Sequence, residues 1–126
     1  MAPEVALHQP YNERVDIYSF GILLWQIATG LCPFHGYNQA VFQKRVVEEG
    51  DRPPLEFLSV DTVHIRLSPE LKEILKQSWS SNWIERPSAR QLSESVTALL
   101  TITLETETRL WGRGQGGQNS ACCCVT

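Results

Sequence analysis

The residues able to do chemistry in this chain are few and scattered. Cys32 and His35 stand in a C-x-x-H spacing, which could bring a thiolate and an imidazole to one metal ion. Zinc takes about four such ligands, and no second pair stands nearby, so these read as a loop cysteine and a loop histidine. Gly112, Gly114, Gly116 and Gly117 form a glycine-rich run, but it lies near the C-terminus. A phosphate cradle needs its glycines between a strand and a helix, where backbone N–H groups converge on the anion. Cys122, Cys123 and Cys124 could carry a lipid, or be read as a prenylation box from Cys123. Thr126 is not a usual last residue for that box, no polybasic run supports it, and one lipid would give only weak anchoring. Thr101, Thr103, Thr106 and Thr108, with Glu105 and Glu107, read as a polar extension of a last helix. None of these groups is a catalytic constellation.

The composition narrows the class. The 126 residues carry a net charge of −3, with 42% hydrophobic and 20% charged residues, which suits one globular domain with a modest core. Mild acidity and the lack of a basic patch give no electrostatic reason to expect nucleic acid. Four tryptophans in so short a chain are bulky anchors for a core or an interface. Met1-Ala2-Pro3-Glu4 does not begin a signal peptide, no run spans a membrane, and a lone Cys32 with a terminal Cys cluster is not a disulfide framework. The expectation is a cytoplasmic protein.

The elements that must position any site are helical. Asp16 to Gly30 is almost continuously apolar, with Asp16 as the expected N-cap and Gly30 as the expected left-handed C-cap. Ile17, Phe20, Leu24, Ile27 and Ala28 share one face; Ile22, Leu23 and Trp25 occupy others. A helix apolar nearly all round is a membrane span or the centre of a domain. This one is too short and too polar at Ser19, Gln26 and Thr29 for a span of about 20 apolar residues, so it predicts a central helix over 16–29. Pro3 predicts a short helical turn within 1–8. Asn38 predicts the start, and Gly50 the end, of a helix over 39–49. Residues 55–67 read as an irregular, partly packed loop. Ser68-Pro69 starts a helix that turns Leu71, Ile74, Leu75 and Ser78 or Trp79 inward, and Ser88 starts a last one over 89–103 carrying Leu92, Val96, Leu99 and Leu100. The fold class expected is all-α, with a domain over 1–104 and a disordered Gly- and Cys-containing tail over 105–126.

Five short motifs in one order give these helices a resemblance. Ala2-Pro3-Glu4, Asp16-Ile17-Tyr18-Ser19-Phe20-Gly21, Thr29-Gly30 followed by Pro33-Phe34, Arg52-Pro53, and Trp79 followed by Arg86-Pro87-Ser88 resemble the second half of a protein kinase's large lobe, from A-P-E onward. The wording is closest to the tyrosine-kinase and tyrosine-kinase-like groups. The resemblance implies a partial kinase-like fold, the family's helices F to I, without the small β lobe. It implies that Glu4 pairs with Arg86 and ties the end of the activation segment to the lobe. Asp16, in the family, holds the catalytic loop's backbone; with that loop not in this chain, a cap is its expected role. Trp25 and Trp79 are the expected core anchors.

The family's chemistry needs a Gly-rich loop, a strand lysine with its helix glutamate, a catalytic-loop Asp and Asn, and the Asp of D-F-G. None can be placed in these 126 residues: His8, His35 and His64 begin no H-R-D. The expected site assignment is therefore no catalytic, cofactor or metal residue, only the structural set Glu4, Arg86, Asp16, Trp25 and Trp79. ATP and magnesium belong to the full-length family. The resemblance implies a kinase fragment, inactive by itself, whose parent phosphorylates protein hydroxyls, with a tilt toward Ser/Thr; the alternative is a non-catalytic interaction module. A kinase methionine before A-P-E taken as a start codon would explain Met1. The implied partners are the parent's protein substrates or signalling partners. The sequence departs from the family where Asn82-Trp83 replaces Asp-Pro, Gln26 replaces Glu and Ser78 replaces Cys, and Trp83 is expected to disturb the loop around Arg86.

Overall fold

The computed structural model describes residues 1–56, 58–60 and 63–113. Its order is α1 (Pro3–Ala6), α2 (Arg14–Thr29), α3 (Gln39–Phe42) running directly into a π-helical segment (Gln43–Glu48), β1 (Leu58–Val60), β2 (Val63–Ile65), α4 (Pro69–Ser78), a 3₁₀ turn (Trp83–Glu85) and α5 (Ala89–Arg113). α2 packs on α4, α4 on α5, and α1 on the π-helical segment. This is the helical fold without a β lobe that the sequence implies, with one small addition. β1 and β2 pair antiparallel, Leu58 opposite Ile65 and Val60 opposite Val63, inside the stretch read as an irregular loop. Phe57 in that stretch lies outside the described residues.

Local chemistry accounts for most helix ends. Ser68 Oγ accepts from the Leu71 N–H at 3.2 Å, with Pro69 at the first helical position of α4. Asn38 Oδ1 accepts from the Val41 N–H at 2.9 Å and starts α3. Ser88 and Gln91 form a reciprocal capping box: Gln91 N–H to Ser88 Oγ at 3.3 Å, and Ser88 N–H to Gln91 Oε1 at 2.9 Å. Gly30 closes α2 at φ 68°, its N–H on the Gln26 carbonyl at 2.8 Å.

Three expectations need correction. Asp16 does not cap α2. The helix begins two residues earlier, Asn12 Oδ1 accepts from the Arg14 N–H at 3.0 Å, and Asp16 sits exposed in the first turn. The N-cap position is Glu13, whose side chain makes no capping bond, and in the first turn an acid such as Asp16 still favours the positive end of the helix dipole. The helix expected over 39–49 changes pitch at Gln43 to π geometry. The last helix continues past 103 to Arg113, so 105–113 is helical rather than disordered. The remainder of the expected tail, 114–126 with Cys122–Cys124, lies outside the described residues.

The core is built on one side of α2. Tyr18, Trp25, Leu75, Trp79, Leu67 and Ala2 form the buried cluster, with Val15, Ile22, Leu24, Leu55 and Leu71 packed around it. The buried residues of α2 are Ile17, Tyr18, Gly21, Trp25 and Thr29, so of the expected face Ile17 is buried while Phe20 and Ile27 are not. Gly21 lets α2 and α4 approach: a Cβ there would stand 2.8 Å from the Ser78 Cβ. The other side of α2 is bare, with Phe20, Leu23 and Ile27 exposed by 39%, 49% and 71%. The all-round apolar pattern therefore overstates how much of α2 these residues cover.

Candidate functional site

The most elaborate polar arrangement in the fold is a buried cluster of Glu4, Arg86, Tyr18 and Arg52. Glu4 comes from α1 and Arg86 from the loop between the 3₁₀ turn and α5, 82 positions apart. Arg86 donates from Nη1 to Glu4 Oε1 at 2.6 Å and from Nη2 to Oε2 at 2.9 Å, a fork-to-fork pair. Its other N–H groups reach carbonyls, Nε to Ser80 at 2.9 Å and Nη1 to Arg14 at 3.1 Å. Both partners are buried, Glu4 with 5% and Arg86 with 1% of its surface exposed. Burial alone would push the Glu4 carboxyl up; the hydrogen bonds and charge of Arg86, helped by Arg52, outweigh it and hold the carboxyl below the usual range.

Tyr18 lies under two guanidiniums. The Arg86 and Arg52 Cζ atoms each sit 5.1 Å from its ring centroid, within cation–π range. Burial pushes its phenol up, against the pull of the two arginines. Its hydroxyl is buried and has no hydrogen-bond partner among the described residues. Arg52 is held by neutral groups: Nε on the Trp79 carbonyl at 2.9 Å, Nη1 on the Val46 and Asp51 carbonyls at 3.1 and 2.7 Å, and Nη2 on Ser81 Oγ at 3.0 Å. One guanidinium thus joins the π-helical segment, the C-terminal end of α4 and the following loop. Arg14 adds another tie, donating from Nη1 to the Ile84 carbonyl at 2.9 Å and to the Arg86 carbonyl.

The structure brings together Glu4 and Arg86, and places Trp25 and Trp79 in the core at 2% and 4% exposure, Trp25 Nε1 donating to the Pro54 carbonyl at 2.8 Å. Asp16 stands apart, on the rim of an apolar groove of about 440 Å³ between α2 and α5 lined by Ile17, Phe20, Leu92 and Val96. Cys32 and His35 are exposed in the loop after α2, and among the described residues no group of three or more His, Cys, Asp or Glu side chains could hold a metal. Trp83 does not displace Arg86: it lies 41% exposed, while Asn82 Oδ1 accepts from the Ile84 N–H at 3.2 Å and sets the turn. Arg52 and Tyr18 were not among the expected site residues, although both lie inside recognised motifs.

A fork-bound acid of A-P-E on the arginine of R-P-S joins the two ends of the motif series. Comparison with known proteins agrees in extent: the family described as protein tyrosine and serine/threonine kinase matches residues 1–96. This chain belongs to the protein kinase family. It is 39% identical over 87 residues, 69% of this chain, to a serine/threonine/tyrosine-protein kinase, HT1, of Arabidopsis thaliana, and covers 20% of that kinase. It is 38% identical over 101 residues, 79% of this chain, to the dual specificity protein kinase shkD of Dictyostelium discoideum, covering 12% of it. To the mitogen-activated protein kinase kinase kinase 13-B of Xenopus laevis it is 35% identical over 92 residues, 73% of this chain and 9% of that kinase. The chain thus spans about a tenth to a fifth of these kinases. No helix among the described residues is long and apolar enough to cross a membrane.

Proposed function

We propose that this chain is the scaffold part of a protein kinase's large lobe, of the tyrosine-kinase-like group, and that it transfers no phosphate by itself. The parent activity in this reading is transfer of the ATP γ-phosphate to a protein hydroxyl, in the cytoplasm, with a tilt toward Ser/Thr. The role of these residues is to seat the end of the activation segment and offer the shelf beneath a protein substrate. The observation that carries the reading is the buried Glu4–Arg86 fork, which fixes A-P-E against the loop before α5. The test is direct. Purified chain, magnesium and γ-labelled ATP are incubated with a general acceptor protein. Incorporation should stay at the level without the chain, and incorporation that scales with added chain would refute the non-catalytic assignment. For the parent, the DNA upstream of the Met1 codon should encode H-R-D and D-F-G in frame or across an intron.

A second reading, a stand-alone interaction module, is favoured by the bare apolar side of α2 at Phe20, Leu23 and Ile27. Upstream DNA without those motifs, together with a stable purified chain, would select it over the kinase fragment.

A further inference from the structure

We draw no further inference here: the strongest candidate, the apolar side of α2 that exposes Phe20, Leu23 and Ile27 beside the groove toward α5, has nothing in the structure to show what covers it.

Discussion

Replacing Glu4 by Gln tests the cluster most sharply. Glutamine keeps the shape and one carbonyl acceptor but removes the charge facing Arg86. The guanidinium has 0% of its side chain exposed and the carboxylate 6%, so solvent cannot step in for the lost partner. Two charge-assisted hydrogen bonds are weakened at once, each worth about 1.5–3 kcal/mol, and a buried arginine is left without a counter-charge. Breaking a buried pair from one side costs about 3–5 kcal/mol. A domain of this size has about 5–15 kcal/mol in total, so Glu4→Gln should lower the urea midpoint steeply and leave the unfolding slope unchanged. Arg86→Lys, which keeps the charge but not the fork, should also destabilise. The pairing itself is isolated by a double-mutant cycle with Glu4→Leu and Arg86→Met: the double variant should be more stable than either single change, because no charge is then stranded. Equilibrium urea unfolding followed by tryptophan fluorescence reads all of these, with Trp25 and Trp79 in the core as reporters. A loss below about 1 kcal/mol for Glu4→Gln, the worth of an exposed pair, would refute the reasoning.

Acid should act on the same pair. The folded Glu4 carboxyl lies below its ordinary value, so the unfolded chain binds more protons between the two. Its contribution is present above the unfolded value of about 4.3 and is lost as pH falls through the lower folded one; the pH dependence of the urea midpoint below about pH 4.5 should flatten in Glu4→Gln. Gly21→Ala gains about 1 kcal/mol of helix propensity, but its Cβ would meet Ser78 Cβ at 2.8 Å. Overpacking of about 1–3 kcal/mol should win, and Ser78→Gly should lessen the penalty of Gly21→Ala when the two are combined; a more stable Gly21→Ala single variant would contradict the close approach. Tyr18→Phe removes a buried hydroxyl without a partner among the described residues and keeps the ring under both arginines. It should be neutral or stabilising, whereas Tyr18→Leu, which loses the ring, should destabilise; equal losses would put the importance in the hydroxyl. Ser68→Ala should cost about 1 kcal/mol through loss of the α4 cap, measured by the same unfolding.

The helices were legible where a local rule sufficed. Ser68-Pro69, Asn38 and Gly30 act on backbone groups within four residues, and each stands where its chemistry places it. Asp16 shows the limit of such a rule. α2 starts after Glu13, whose side chain makes no capping bond, and an acid near a helix start does not say by its type whether it is the cap or a residue of the first turn. The π-helical segment and the β1–β2 ribbon were not legible, for different reasons. π geometry leaves no composition signature in six residues; here it accompanies a contact from outside the helix, Arg52 on the Val46 carbonyl. Three-residue strands are too short for a period-two pattern to stand out from an apolar loop. Thr101, Thr103, Thr106 and Thr108, read as a polar extension of the last helix, do lie on α5, and each hydroxyl turns back to a carbonyl of its own helix, Thr101 to Thr97 and Thr103 to Leu99 among them. The end of that extension was set too early because a polar helix exposed all round has no apolar period to follow.

The site was half legible, and the division follows from what a motif encodes. Glu4 and Arg86 are charged residues whose types announce a partner, and the resemblance supplied which one. Tyr18 and Arg52 sit inside recognised motifs, but neither type requires the contact it makes. A tyrosine at that position reads as core, and its burial at 1% agrees with that. Its place under two guanidiniums depends on loops 34 and 68 residues away. Arg52 is the stronger lesson. Burial pushes its guanidinium below the ordinary value, so keeping its charge there needs compensation, and no carboxylate makes a salt bridge to it among the described residues. Carbonyls from Val46, Asp51 and Trp79, the Ser81 hydroxyl and the Tyr18 ring share that charge instead. Backbone carbonyls are the same in every sequence, so a cation held by them leaves no complementary residue to find. The Glu4–Arg86 pair could be sought by matching opposite charges; Arg52, which ties the π-helical segment to the end of α4 and stacks on the same ring, becomes visible only once the chain is folded.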